Sequence, residues 1–237
     1  QLRDTAARQQ HWQKAQNWAE EAGDAAEAVA LRAAHWGLDD GDTQAAQAQL
    51  AQLPLGAQRR IHALRLKLKT AQLAGDSRLA LETARLLIKH NAFSPFVAQT
   101  LRTSLVRDYL GKAPDLLALQ NAWTQLPRAE QEIPEITFRA AERMLHLAEG
   151  ESQHPQVRAR LAPLLSRYTS LPEHLQLGTV LALERCMGQL DRDWLARIEK
   201  TQQSQPRDLR LQYLAGVAYL QQQLWGKAQH TLEQLIR

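Results

Sequence analysis

A chain of 237 residues with 44% hydrophobic residues can bury a continuous core as one elongated domain or as two ordinary ones. Ala, Leu, Gln, Arg and Glu dominate, aromatics make up 5%, and no stretch alternates Val, Ile, Thr and Tyr, so strands are excluded and the fold class is all-α. The net charge of +4 and pI near 9.4 come from cations spread along every helix rather than from a basic block with interleaved aromatics, so nucleic acid is not an expected partner.

In chain order, "WQKAQ" at 12–16 opens the pattern inside a half-unit over 1–22. Helical hairpins are then predicted near 25–54, 56–91, 94–127, 130–170, 172–205 and 207–237. Their turns fall at "LDDGD" (38–42), "LAGD" (73–76), "YLGKAP" (109–114), "AEGESQHP" (148–155), "GQLDRD" (188–193) and "QQQLW" (221–225). Pro54, Pro95, Pro127, Pro172 and Pro206 punctuate the intervals, as helix breakers do. Gly41 and Gly75 are 34 residues apart, and Gly75 and Gly111 are 36 apart. A period of this length, holding two helices, is the mark of a helical repeat.

The residues around each turn define the corner. Ala46 and Ala80 each stand five residues after Gly41 and Gly75, while Ala15 and Ala228 stand three after Trp12 and Trp225. A small residue there lets the second helix press on the first, with Trp filling the space beside the turn and the Lys between them solvated. Gly216 and Tyr219 supply a small residue and an aromatic on the first helix of the last unit. "WQKAQ" and "WGKAQ" (225–229) are thus the same corner of the same hairpin. The middle copies are degenerate: Leu116 and Pro155 occupy the place of the small residue, and of Pro155 and Pro163 one is expected to open its helix and the other to bend it. The unit resembles the tetratricopeptide repeat, which implies a single domain over 1–237 shaped as a right-handed superhelix.

Three longer stretches, 11–53 ("HWQKAQNWAEEAGDAAEAVALRAAHWGLDDGDTQAAQAQLAQL"), 119–136 ("LQNAWTQLPRAEQEIPEI") and 214–236 ("LAGVAYLQQQLWGKAQHTLEQLI"), are together similar to the C-terminal repeat region of the proteobacterial HemY family. The resemblance implies an inner-membrane protein of late haem biosynthesis, with two N-terminal spans followed by this region on the cytoplasmic side, and enzymes of haem biosynthesis as its partners. The name is shared with an unrelated flavin-dependent protoporphyrinogen oxidase, which would need a G-x-G-x-x-G corner that this sequence lacks. No run of about 18 apolar residues crosses a bilayer here. The start at Gln1 rather than Met leads us to expect a preceding anchor segment.

Motifs for chemistry are absent: there is no phosphate loop, H-E-x-x-H, G-x-S-x-G or C-x-x-C. The eight His residues form no i, i+4 pair, and no spacing supports His146 with Cys186 as haem ligands. No catalytic residue, metal or cofactor is expected, although haem or porphyrin could be a ligand. Cys186 is the only cysteine and is expected to be a buried thiol. The candidate partner-binding groove is the stripe His62, Arg65, Lys69 and Gln72, spaced i, i+3, i+7 and i+10 on one helix face, with Arg210 and Tyr213 in the matching place of the last unit. On the inward side of a superhelix this stripe would hold an acidic or carboxylate-bearing partner; otherwise it is a solvated face. The expected function is a non-catalytic interaction scaffold, and the alternative is a tetrapyrrole-handling protein gripping porphyrin carboxylates.

Overall fold

The computed structural model describes residues 10–15, 17 and 26–235. Among them every regular element is helical. The chain divides into two compact units, 1–105 and 106–237. The half-unit expected over 1–22 lies mostly outside the described residues, although 10–15 are helical.

In the first unit, α1 (Ala26–Asp39) and α2 (Thr43–Ala51) form one hairpin. After a short α3 (Leu55–Gln58), α4 (Ile61–Leu73) and α5 (Ser77–Lys89) form the next. Gly41 and Gly75 make the turns in left-handed backbone, at φ 78° and 74°. There Asp42 N–H returns to Gly37 O at 2.7 Å and Asp76 N–H to Ala71 O at 2.9 Å, satisfying carbonyls that a helix end leaves open. The same aspartates then cap the next helix: Asp42 Oδ1 accepts from Ala45 N–H at 2.8 Å and Asp76 Oδ1 from Leu79 N–H at 2.9 Å. A Gly-Asp pair thus ends one helix and starts another. Four residues after the cap come Ala46 and Ala80, 0% and 1% exposed. A Cβ on Gly37 would meet Ala46 N at 3.0 Å, so the two helices touch backbone to backbone. Trp12 packs edge-on against Trp36, centroids 5.2 Å apart.

Helix α6 covers Pro95–Gly111. The second unit continues with α7 (Leu116–Thr124), a short α8 (Arg128–Gln131), α9 (Pro134–Leu147), α10 (His154–Ser166), α11 (Glu173–Arg185), α12 (Arg192–Ser204), α13 (Leu209–Gln221) and α14 (Trp225–Glu233). The first helices stack, α9 on α11 and α11 on α13, while α10 packs on α12. Helix α12 lies closest to α13, the first helix of the following hairpin, rather than to its own hairpin partner α11. Between α11 and α12 lies the segment Cys186–Leu190, buried except at Gln189 and held by Arg158. This side chain, 1% exposed, donates from Nη1 to Cys186 O and to Gly188 O (2.7 Å), and from Nη2 to Gln189 O (2.8 Å). One cation thereby closes the C-terminal end of α11, where the helix dipole also favours it.

Several corner residues differ from the sequence reading. Gly111 is the last residue of α6 and not a left-handed stop; its missing side chain makes room for the guanidinium of Arg139. The left-handed positions of the last two corners belong to Gln189 and Gln223, at φ 54° and 57°. Trp225 does not fill the corner: it is 63% exposed, at the first position of α14. Its neighbour Lys227 is not merely solvated, since its Nζ meets Glu199 at 3.2 Å and lies over the Tyr219 ring. Ala228 is fully buried, Ala15 half-buried, and Gly216 lets Leu232 close onto α13. Counted four residues from its capping Asp115, the small-residue position of the third hairpin is held by Leu119, which is buried, and not by Leu116. Pro155 lies in the first turn of α10 and Pro163 inside that helix.

A signature that sequence spacing could have shown recurs as "LPLGAQ" (53–58), "LPRAEQ" (126–131) and "LPEHLQ" (171–176). In each, the Pro starts a helix at φ between −57° and −55°. The Gln side-chain amide donates back to the end of the preceding segment: Gln58 to Leu53 O at 2.8 Å, Gln131 to Leu126 O at 3.0 Å, Gln176 to Leu171 O at 3.0 Å. Pro stops one helix and lacks the N–H that the next would leave unpaired; Gln then closes the open carbonyls. No described helix is long and apolar enough to cross a membrane.

Candidate functional site

Helix α4 carries the predicted stripe on its outer face. Its inner face buries Ala63, Leu64, Leu66, Leu68 and Ala71. That leaves His62, Arg65, Lys69 and Gln72, all four exposed, along the opposite side. Arg65 is not loose: its Nη2 donates to Ala92 O at 3.1 Å, which ties the guanidinium to the end of the same hairpin. No carboxylate pairs with Arg65 or Lys69 among the described residues. A positioned guanidinium and an ammonium one helical turn away form a ready site for carboxylates, since the fork retains donors in a fixed plane.

Arg210 and Tyr213 lie in the other unit, on α13, and neither is free. Arg210 donates to Asp208 at 2.9 and 3.0 Å and to Gln176 Oε1 at 3.0 Å, and Glu173 stands 3.7 Å away. Asp208 in turn accepts from the phenol of Tyr168 at 3.1 Å. Burial alone would raise the Asp208 carboxyl, but the hydrogen bonds from Arg210 hold it below its usual value. This network ties α13 to the start of α11 and is a structural latch. Tyr213 donates its hydroxyl to Glu184, which raises the phenol's pKa.

The first-helix face of the second unit has a different character. Leu177 and Leu181 on α11 and Leu220 on α13 are 46%, 47% and 41% exposed. Phe138 fits against Gly178, where a Cβ would come within 2.6 Å of the ring. A cleft of about 350 Å³ runs between α9 and α11, lined by Phe138, Leu145, Leu181 and Ala182 with Glu142, Glu184 and Arg185 at its margin. The sequence reading missed this apolar face because it followed cations. The signal was present in Leu177, Leu181 and Glu184, which stand at the stripe's own spacing on their helix.

Cys186 is fully buried, and burial pushes its thiol up to about 11, so at neutral pH it is a protonated thiol shut off from solvent. Among the described residues no group of three or more His, Cys, Asp or Glu is placed to hold a metal ion. Comparisons of this chain with protein-family models, with curated proteins and with solved structures found no match.

Proposed function

We propose that the chain is a non-catalytic interaction scaffold, the helical region of a membrane-anchored HemY-like protein of late haem biosynthesis. In this reading the hairpins pack in the tetratricopeptide manner, and their first-helix faces hold partner proteins, the enzymes of haem biosynthesis. The observation that carries it is the outer face of α4: His62, Arg65, Lys69 and Gln72 are exposed together, and among the described residues no carboxylate pairs with Arg65 or Lys69. The similarity of 11–53, 119–136 and 214–236 to the HemY repeat region supports the pathway. The same similarity supports an inner-membrane location with this region facing the cytoplasm. The test is binding of purified late-pathway enzymes to the purified chain by titration calorimetry. Salt-sensitive binding is expected; no binding by any of them, with the chain folded, would remove the pathway assignment.

The alternative is that Arg65 and Lys69 grip the carboxylates of a tetrapyrrole, favoured by their i, i+4 spacing, roughly 6 Å along one face. Porphyrin titration then shifts the Soret band, and the shift disappears when both are replaced by Ala. Turnover of a porphyrinogen by this chain alone would overturn both readings.

A further inference from the structure

Two arginines sit two residues apart on α10 and meet opposite environments. Arg158 turns inward and fills its Nη donors with carbonyls, although its Nε, like that of Arg160, has no acceptor. Arg160 turns toward α7 and makes no hydrogen bond among the described residues; its Nε is shut off from solvent with no acceptor. Its guanidinium lies 3.9 Å above the ring centroid of Trp123, itself 8% exposed. Burial lowers the pKa of Arg160, yet an arginine remains charged. The half-buried guanidinium keeps one shut-off donor and no counter-charge, an arrangement that an incoming anion would complete.

The space in front of it has the shape for one. Arg160 and Trp123 line a cleft of about 410 Å³, with Leu119, Met144 and Ala140 as apolar wall and the amides of Gln120 and Gln156 as polar points. No acidic residue lines it. That volume falls in the range of small-molecule sites, which are mostly apolar with a few placed polar groups. One cation in an apolar cleft matches one negative charge; a phosphate dianion would leave an excess buried charge. The planar fork, held flat by the indole, fits the two oxygens of a carboxylate.

We propose that the cleft between α7, α9 and α10 binds a small organic monocarboxylate, its carboxylate taken by the Arg160 fork on Trp123 and its apolar body laid against Leu119 and Met144. This site is separate from the stripe on α4 and stands or falls without it.

The probe is 4-phenylbutyrate, set against its neutral amide 4-phenylbutyramide and against phenyl phosphate. All are titrated into the 237-residue chain while the Trp123 indole N–H is followed by NMR, its signal assigned with Trp123→Phe. Phenylbutyrate should give a saturable shift, with the amide and the phosphate at least tenfold weaker. Arg160→Lys keeps a positive charge but loses the fork and the stacking, and should weaken the acid tenfold or more. Equal binding of acid and amide overturns the proposal, as does unchanged affinity in Arg160→Lys. The acid–amide comparison on the parent chain decides the matter even if that variant does not fold.

Discussion

The corner at Gly75–Asp76 and the corner at Gln223–Leu224 make the same turn from different residues. In both, the second residue's N–H returns to a carbonyl five residues back, Ala71 O at 2.9 Å and Tyr219 O at 2.9 Å. In the first unit, Gly takes the left-handed position without a steric cost and Asp caps the next helix. In the second, Gln223 takes it against the preference of its Cβ, and Leu224 offers no side-chain cap. The Gly41 and Gly75 corners of the first unit are thus well matched, while its corner at Asn91, φ 53°, uses a residue with a Cβ. The second unit leans on buried and half-buried polar side chains: Arg158 on three carbonyls, and the Tyr168–Asp208–Arg210 latch. The exposed faces differ in parallel, polar and cationic on α4, apolar on α11 and α13. One hairpin plan carries two kinds of surface, because the first helices only need their inner faces for folding.

The largest effect should come from the second unit's buried strut. Arg158→Met keeps most of the volume but orphans the carbonyls of Cys186, Gly188 and Gln189, so it should cost on the order of 3 kcal/mol, read as a lowered urea midpoint. A change below about 0.5 kcal/mol would mean that those carbonyls find water instead. In the first unit the equivalent blow is steric: Ala80→Trp overpacks a site that is 1% exposed and should destabilise by roughly 1–3 kcal/mol. An unchanged melting curve would show that this corner is not close-packed.

The turns sharpen the contrast by opposite signs. Gly75→Ala forces a Cβ into φ 74° and should destabilise by about 1 kcal/mol. Gln223→Gly relieves the same strain and should stabilise by up to about 1 kcal/mol, less the entropy that glycine adds to the unfolded chain. If both substitutions lower stability, the two corners are not equivalent. The smallest effect at neutral pH is electrostatic and belongs to the second unit. Burial, the first cause in each, pushes Cys186 up from 9.0 to about 11 and Tyr168 and Tyr219 up from 10.0 to about 12. Because the fold favours their neutral forms, their contribution is intact below pH 9 and is lost as pH rises from about 9 to 12. Urea midpoints measured across that range should fall, and the Cys186 thiol should resist labelling until the chain unfolds.

Much of this was legible in the sequence. Helix type and most helix positions follow from composition and from the Gly and Pro punctuation, and the stripe on α4 follows from 3.6-residue spacing. Exposure of His62, Arg65, Lys69 and Gln72 was readable because Leu64, Leu68 and Ala71 so plainly claimed the inner face. What was not legible depended on tertiary contacts. Nothing in the spacing separates Arg158 from Arg160, since only the neighbouring carbonyls and indole decide their fates. Trp225 looked like a corner filler because Trp12 was read the same way, yet it lies at an exposed helix start. Arg210 looked like a groove residue by position, but Asp208 two residues earlier takes its guanidinium. The L-P-x-x-x-Q repeat stands in the sequence three times, but its prolines alone mark a break; the amide that closes the open carbonyls shows only in the fold.

The most direct measurement of the scaffold reading is titration calorimetry of a purified late haem-pathway enzyme against the parent chain and against Arg65→Ala/Lys69→Ala, at low and high salt. Both side chains are exposed, so the melting curve should change little, while a charge-assisted contact of roughly 1.5–3 kcal/mol per hydrogen bond predicts at least tenfold weaker binding. The difference should shrink at high salt. Equal affinity of the two chains at low salt would contradict it and leave the stripe as a solvated face.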